Sequence, residues 1–261
     1  MTFPLSVKIY LSVLCFVLGT VMGSALNCLA YRIAHKQKWT GGRSVCPVCG
    51  HTLKARDLVP LLSWLLLKGR CRYCKTRVSV RYPVSELVLG LSYLLILSFC
   101  GFSLHTLSGL ILVSCLFCLS LIDLDVQLIP DRFIIIPAVV RAAELFVEGG
   151  FAKLGKALLP ALAMGGGILI LTLIMDKLLK KETMGGGDIK LLFMLGMYFS
   201  VPACLLLLIF SCVIGLITAV VTLKTDADKH FPFGPAISAA AFIVFLCGDA
   251  VTNWYLGLFN L

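Results

Sequence analysis

Charged residues are scarce in this chain. Only 14% of its 261 residues are Asp, Glu, Lys or Arg, whereas 59% are hydrophobic, and the mean hydropathy is +1.00. A soluble domain of this length carries more charge on its surface than this composition supplies. The composition therefore excludes a soluble protein and indicates a polytopic membrane protein.

Acidic residues are the scarcer of the two charge types. The chain has 13 Asp and Glu against 23 Lys and Arg, which gives a formal net charge of +10. Twelve of the basic residues lie between Arg32 and Arg81, the one long polar insertion. The positive-inside rule places such an insertion in the cytoplasm. The net charge therefore follows from membrane topology, and we expect no nucleic-acid partner.

Apolar runs long enough to cross a bilayer recur along the chain. The run Leu191–Leu223 is long enough for two helices, with a break beside Pro202. Phe133–Val147 is a weaker segment because it carries Arg141 and Glu144. The other predicted spans are Ile9–Tyr31, Leu87–Leu104, Thr106–Ile122, Ala157–Met175 and Phe231–Gly248. We predict an all-α polytopic membrane protein with about eight transmembrane helices, or seven if Phe133–Val147 is interfacial.

The order of these segments divides the chain into three parts. Residues 1–32 form a first transmembrane helix, which is too long for a signal peptide and is retained as an anchor. Residues 33–83 form a small cytoplasmic module that contains four cysteines. Residues 84–261 form a transmembrane bundle. The lipid bilayer is thus an expected partner, whereas the oligomeric state has no signature in the sequence.

Four cysteines in the polar insertion predict a metal site. Cys46 and Cys49 form one Cys-x-x-Cys knuckle, Cys71 and Cys74 form another, and 21 residues separate them. This spacing is close to that of a zinc ribbon, in which four thiolates close a tetrahedron around structural Zn²⁺. The alternatives are two disulfides, which a reducing cytoplasm disfavours, or four unrelated thiols. The eight other cysteines lie in apolar segments, and we assign them no chemistry.

Two carboxylates adjoin apolar runs. Asp123 ends the third predicted span and Asp188 begins a later one on the same side of the membrane. Carboxylates at a bilayer edge are costly and indicate function. Two that lie close together share a proton, so one can activate water while the other protonates a carbonyl. The spacing alone leaves open whether Asp123 or Asp125 pairs with Asp188, and it also allows ordinary residues at helix ends.

The glycines before Asp188 are candidates for substrate binding. Gly185, Gly186 and Gly187 have no Cβ, so a peptide backbone can approach them, and glycine also allows unusual φ angles where a helix starts. Lys190, two residues beyond the aspartate, is a candidate for contact with lipid headgroups or for setting the local charge. The alternative is a simple glycine loop before a helix.

Taken in order, these motifs resemble the type IV prepilin peptidases, a family of bacterial membrane aspartic proteases. The resemblance extends over nearly the whole chain. It is carried by Gly23-Ser24-Ala25-Leu26-Asn27 with Tyr31-Arg32, the two cysteine knuckles, Asp57-Leu58-Val59-Pro60, Arg81-Tyr82-Pro83 with Glu86, the acidic cluster followed by Ile129-Pro130-Asp131, the Gly-x-Gly-Asp signature at 185–188, and Phe231-Pro232-Phe233-Gly234-Pro235.

The resemblance implies residues and reactions. It selects Asp123 and Asp188 as the catalytic pair. It implies removal of a short basic leader from type IV prepilins or type II secretion pseudopilins, after a glycine and at the cytoplasmic face of the inner membrane. It also implies N-methylation of the new terminus with S-adenosylmethionine, for which Asp57 and Glu86 are the candidate contacts.

Two other classes of protein compete with a peptidase. An ion-coupled transporter would use the two aspartates as a proton relay, but it should show inverted repeats and acidic groups at mid-membrane. The chain has no internal repeat, and both aspartates lie at predicted helix ends. A zinc-ribbon scaffold without chemistry would leave the sequence Gly-Gly-Gly-Asp unexplained.

Overall fold

A computed structural model describes residues 4–38, 42–181, 183–225 and 232–258. The described residues are almost entirely helical. A 3₁₀ turn at Ala55–Asp57 and a π-helical turn at Leu162–Gly166 accompany the α-helices. In chain order these are α1 (Leu5–Ala34), α2 (Leu62–Leu66), α3 (Arg81–Cys100), α4 (Leu104–Val126), α5 (Arg132–Ala161), α6 (Gly167–Leu179), α7 (Gly186–Gly196), α8 (Val201–Thr225) and α9 (Gly234–Leu258).

Five of the described helical runs are long and apolar enough to cross a membrane. They are Leu5–Ala34, Arg81–Cys100, Leu104–Val126, Arg132–Leu179 and Val201–Val221, and Gly234–Gly248 is a shorter apolar helix. The run Arg132–Leu179 is broken at Gly149 and Gly150, where the backbone leaves helical angles and Gly150 takes a φ of +62°. With that break and the short α7, the number of apolar helices agrees with the prediction of about eight.

Two boundaries refine the predicted spans. Gly196 ends α7 and Val201 begins α8, so the long run Leu191–Leu223 is two helices as predicted. The predicted span Leu87–Leu104 instead ends at Cys100, because Gly101 at a φ of +65° stops α3. Phe231, predicted to begin the last span, lies outside the described residues.

The chain forms two compact units, Met1–Phe102 and Ser103–Leu261. In the first unit, α1 and α3 pack closely because glycines lie at their interface. A Cβ on Gly23 would be 2.8 Å from the Ser85 carbonyl oxygen, and one on Gly19 would be 2.8 Å from the Gly90 Cα. The segment between α1 and α3 carries α2 and two short hairpins, each marked by one antiparallel bridge.

The second unit is a helical bundle with α4 near its centre. Leu119 and Ile122 on α4, and Leu191, Leu192 and Leu195 on α7, are almost fully buried. Small residues again allow close contact, since a Cβ on Gly165 would be 2.6 Å from the Phe193 Cβ. The sequence Gly165-Gly166-Gly167 therefore packs helices at its first position, whereas the other two glycines face open space.

Buried ionic partners explain why the segment Phe133–Val147 is helical inside the bundle despite its charges. Glu144 Oε1 lies 2.7 Å from Arg141 Nη1 and 2.9 Å from His105 Nδ1. Arg141 Nε also donates to the Met197 carbonyl oxygen at 3.2 Å. These contacts tie α5 to α4 and to the end of α7. Because the charges are paired inside the protein, they do not need to reach an interface.

Candidate metal and carboxylate sites

The four cysteines of the polar insertion come together in the first unit. The Sγ atoms of Cys46, Cys49, Cys71 and Cys74 all lie within 4.8 Å of one another. Cys46 Sγ and Cys74 Sγ are 3.8 Å apart. A tetrahedral zinc with Zn–S bonds of about 2.3 Å would place its sulfurs about 3.8 Å from one another. The sequence prediction is confirmed at this level: the cluster can hold a metal ion.

Each cysteine pair lies on a tight knuckle of the same design. In the first knuckle the Gly50 N–H donates to the Cys46 carbonyl oxygen, and in the second the Lys75 N–H donates to the Cys71 carbonyl oxygen. Gly50 and Lys75 follow the second cysteine of each pair and both take a positive φ, +68° and +61°. Glycine adopts this conformation without strain, whereas Lys75 does so at a cost.

The electrostatics of the cluster differ from thiol to thiol. Hydrogen bonds from the side chain and backbone of Thr76 lower the pKa of Cys74 to about 6. Hydrogen bonds from the Cys49 and Val48 backbone lower the pKa of Cys46. Thiolates are the form that binds metal. At Cys49 a hydrogen bond from the His51 backbone lowers the pKa, but burial and the neighbouring thiols Cys46 and Cys74 outweigh it and raise the pKa to about 11. The thiolate form is therefore favoured at Cys46 and Cys74 but not at Cys49.

Asp57, a predicted methyl-donor contact, is held by protein groups. Its Oδ1 accepts from Arg72 Nε at 2.6 Å, and its Oδ2 accepts from the Tyr73 hydroxyl and the Lys54 N–H, both at 3.1 Å. Burial would raise the pKa of Asp57, but these hydrogen bonds outweigh it and hold the pKa below its usual value. Asp57 thus ties the 3₁₀ turn to the second knuckle.

Glu86, the other predicted methyl-donor contact, is also buried and paired. Its Oε2 accepts from the Leu61 N–H at 2.7 Å. Leu61 has a φ of +59°, so the bond anchors a strained turn just before α2. A role in methyl-donor binding remains a prediction for both carboxylates.

Asp123 lies in the last turn of α4 and is buried. Its Oδ2 accepts the Gly234 N–H at 3.0 Å. Negative charge at the C-terminal end of a helix opposes the helix dipole, whereas the free N–H groups at the start of α9 attract it. The chain segment at Gly234 therefore stabilises a carboxylate that α4 alone would disfavour.

Sequence reasoning assigned no role to Gly234, although it noted the motif around it. A Cβ at this position would be only 2.7 Å from Asp123 Oδ2. Glycine is therefore required for the backbone to come within hydrogen-bonding distance of the carboxylate. The unusual run of Phe, Pro and Gly before an apolar helix was the signal that could have identified it.

Asp188 lies in the first turn of α7, in the same unit as Asp123. Its Oδ1 is buried, and among the described residues no donor lies within hydrogen-bonding distance. An unpaired buried carboxylate oxygen costs free energy that the fold does not recover. Such atoms are found where a substrate or water completes the pairing.

The two carboxylates are close enough for the charge of Asp123 to act on Asp188. Asp125, which the spacing left as an alternative, is exposed, whereas Asp123 is buried. The two are separated by about 200° around the helix, so only one of them can face inward. The fold therefore favours the pair Asp123 and Asp188.

The glycines before Asp188 differ in their surroundings. A Cβ on Gly187 would be 3.0 Å from the Ile129 Cβ, so this glycine packs against the loop after α4. Gly186 faces open space, and a Cβ on Gly185 would meet only Asp188 Oδ2, at 3.3 Å. None of the three takes a positive φ. The prediction that these glycines are needed for unusual backbone angles was therefore wrong. Approach of a peptide backbone stays a prediction for Gly185 and Gly186, where the surface is open.

Lys190 pairs with Asp131 at the surface. The Nζ to Oδ1 distance is 2.8 Å, and the two side chains are 60% and 59% exposed. Exposed pairs of this kind contribute little to stability. Lys190 is thus held near the carboxylates without being part of the buried pair.

A helical membrane protein with two carboxylates at helix ends of one unit and a four-thiol cluster in the other defines a class: a polytopic membrane protein with the groups of an aspartic hydrolase. Comparisons with known proteins agree with this class. Residues 17–100 match the bacterial peptidase A24 N-terminal domain, and residues 110–220 match the type IV leader peptidase family. The chain belongs to the type IV leader peptidase family.

Curated relatives cover most of the chain. A protein of Neisseria gonorrhoeae named prepilin leader peptidase/N-methyltransferase is 34% identical over 92% of this chain and 93% of its own length. Relatives with the same name in Aeromonas salmonicida (strain A449) and Bacillus subtilis (strain 168) are 38% and 31% identical. They cover 82% and 92% of this chain, and 74% and 96% of their own lengths. No solved structure matches the chain significantly.

Proposed function

We propose that this protein is a membrane aspartic endopeptidase that removes the short basic leader from type IV prepilins or type II secretion pseudopilins. The observation that carries the proposal is the pair Asp123 and Asp188, one anchored by a backbone N–H and the other with a buried oxygen lacking a described partner. The names of the curated relatives support the same substrate class.

In the proposed mechanism the two carboxylates share one proton. The ionised carboxylate takes a proton from water as the water oxygen attacks the scissile carbonyl carbon, and the protonated carboxyl donates to the carbonyl oxygen. When the tetrahedral intermediate collapses, the C–N bond breaks and the leaving amine takes the proton that the first carboxyl received from water. The second carboxylate regains its proton from a hydroxyl of the intermediate. The products are the leader, which ends in a glycine carboxylate, and a free amino terminus.

The substrate backbone would lie along Gly185 and Gly186, where the surface is open. Lys190, at its exposed position, would contact lipid headgroups or adjust the charge there. The acidic groups at this end of the bundle would attract a basic leader. We place this end at the cytoplasmic face of the bacterial inner membrane, because alternation of the predicted spans puts Asp123 and Asp188 on the side that the positive-inside rule makes cytoplasmic.

We further propose that the new amino terminus is N-methylated, as the name of the relatives indicates for those proteins. S-adenosylmethionine would supply the methyl group. Asp57 and Glu86 are the proposed contacts for it, and their present hydrogen bonds to protein groups would have to be shared or exchanged. Structural Zn²⁺ at Cys46, Cys49, Cys71 and Cys74 would hold the module that carries Asp57.

The alternative of an ion-coupled transporter has no support among the relatives, which are named as peptidases and methyltransferases. In the described structure Asp123 and Asp188 also lie at helix ends and not at mid-helix. Both observations favour the peptidase.

The test is cleavage by isosteric variants. Asp123→Asn and Asp188→Asn should each abolish leader removal from a purified substrate with a basic leader and an apolar helix, while the protein still accumulates in the membrane. Asp125→Asn is the matched control, because it removes the same charge two residues away at an exposed position, and it should keep cleavage. Full cleavage by either of the first two variants would overturn the catalytic assignment.

A further inference from the structure

An apolar groove of about 640 Å³ runs along the second unit. Its walls are one stripe on α5, one on α7, and the segment from the π-helical turn into α6. On α7 the stripe is Ile189 and Phe193, and Met197 at the C-cap continues it at the four-residue spacing of a single helix face. The residues from 189 to 197 span about 12 Å along the helix axis, which is about two turns.

The groove is polar at one end only. Asp131 and Lys190 line it there, and every other lining residue is apolar. This end adjoins the carboxylate site, since Ile189 follows Asp188 directly in α7. Asp131 and Lys190 are paired with each other, so the negative charge at this end comes from Asp123 and Asp188 at the adjoining site. The groove thus has a polar end beside the carboxylate site, and the rest of it runs along the helices between apolar side chains.

The wall opposite α7 contains glycine. Gly166 lines the groove, and a Cβ built on it would meet nothing within 4 Å. Small residues in a membrane helix allow a second helix to approach its backbone closely. Gly166 therefore leaves a depression in the groove beside the larger side chains of Val139 and Leu169. A depression of this kind fits the surface of a partner helix.

We propose that this groove binds the apolar helix of the substrate, so that the scissile bond just before that helix reaches Asp188. The assignment rests on the proposed function, in which the substrate is a basic leader followed by an apolar helix. The groove has the complementary order, because its apolar length ends at the Asp131–Lys190 pair and the carboxylates Asp123 and Asp188 adjoin that end. A lipid chain is the competing occupant.

The first experiment fills the groove. Gly166→Leu places a side chain in it, and Gly167→Leu is the matched control, because Gly167 also faces open space but does not line the groove. Each purified protein is assayed with two substrates, a full-length one and a short peptide that ends before the apolar helix. We measure the ratio of kcat/KM for the long substrate to that for the short one.

We expect Gly166→Leu to lower this ratio at least about tenfold, since displacement of the substrate by an ångström costs a large factor in rate, and Gly167→Leu to keep the wild-type ratio. An unchanged ratio in Gly166→Leu would overturn the groove assignment while leaving the proposed function standing. Failure of the unaltered protein to cleave either substrate would instead overturn the proposed function, and the groove assignment with it.

The second experiment identifies the occupant. A photo-crosslinking amino acid is placed at Val139, which lines the groove, or at Ile136, a similarly exposed position on α5 that does not. Both are made in the Asp188→Asn background, so that substrate stays uncut. Crosslinks to substrate at Val139 and not at Ile136 support the proposal. Crosslinks to lipid alone at Val139, or equal substrate crosslinking at both positions, would overturn it.

Discussion

The two units of this protein differ in how their carboxylates are hydrogen-bonded. Both carboxylates of the first unit, Asp57 and Glu86, accept hydrogen bonds from protein groups. In the second unit Asp188 keeps one buried oxygen without a described donor, although Asp123 beside it is anchored by Gly234. A fully paired buried carboxylate stabilises a fold, whereas an unpaired one is left for a ligand.

Glu144 is buried as well, so burial alone does not distinguish a carboxylate that stabilises the fold from one that is left for a ligand. Its Oε2 also lacks a described donor, but its Oε1 contacts both His105 and Arg141. The guanidinium of Arg141, 2.7 Å away, neutralises this group, and the cluster of Glu144, His105 and Arg141 joins helices. What distinguishes Asp188 is an unpaired oxygen together with a second carboxylate and an open glycine surface.

The largest expected effect comes from breaking the anchor of Asp123. In Gly234→Ala the added methyl group would lie 2.7 Å from Asp123 Oδ2, so the carboxylate must move. A displacement of about 1 Å at a catalytic group lowers the rate by about 100-fold. We expect leader cleavage to fall by that order, measured as kcat/KM with a helix-bearing substrate. Gly155→Ala, where a Cβ meets nothing within 4 Å, is the control, and a normal rate in Gly234→Ala would contradict the anchoring role.

The next effect concerns the metal site of the first unit. We expect the purified protein to contain about one zinc per chain, as a Cys₄ site requires, and Cys71→Ser to lose it. Elemental analysis measures the content directly. Cys212→Ser changes an exposed thiol outside the cluster and should keep the metal. Retention of zinc by Cys71→Ser would exclude the cluster as its site.

The smallest effect comes from unpairing a carboxylate in the first unit. Asp57→Asn removes the charged partner of Arg72, whose side chain is 36% exposed and can partly turn to water. We therefore expect a loss of about 1 kcal/mol, seen as a decrease of a few degrees in melting temperature. Glu148→Gln, which breaks the more exposed pair with Lys153, should cost less.

The same pair has a defined pH dependence. Because the folded-state pKa of Asp57 is lowered from 3.8, its contribution is present above that value and is lost as the pH falls through the folded-state pKa. Asp57→Asn should remove this part of the acid sensitivity of the melting temperature. An equal acid dependence in the variant and the wild type would show that Asp57 is not the group responsible.

Much of this architecture is predictable from composition and spacing. Long apolar runs specify helices, and two Cys-x-x-Cys pairs specify a four-thiol cluster, because both signals are local in sequence. The position of Gly234 beside Asp123 is not local, since 111 residues separate them. Nor could spacing decide between Asp123 and Asp125, because the direction of a helix face depends on tertiary packing. The helix break at Gly149 and Gly150, by contrast, falls between the predicted spans Phe133–Val147 and Ala157–Met175.

The glycines at 185–187 show the limit of motif reasoning most clearly. In sequence they are equivalent, and the same roles were expected for all three. In the fold Gly187 packs against Ile129, while Gly186 faces open space. A motif of identical residues therefore contains one position constrained by packing and others that remain available for a substrate.

The matched design of the two cysteine knuckles has a consequence for metal exchange kinetics. Each knuckle closes through its own short-range hydrogen bond, at Gly50 or at Lys75, so each is a two-thiol chelate by itself. The 21 residues between Cys49 and Cys71 keep the second chelate at high effective concentration around an ion held by the first. We therefore expect a bound ion to leave one knuckle at a time, so that an incoming chelator competes with recapture by the released knuckle.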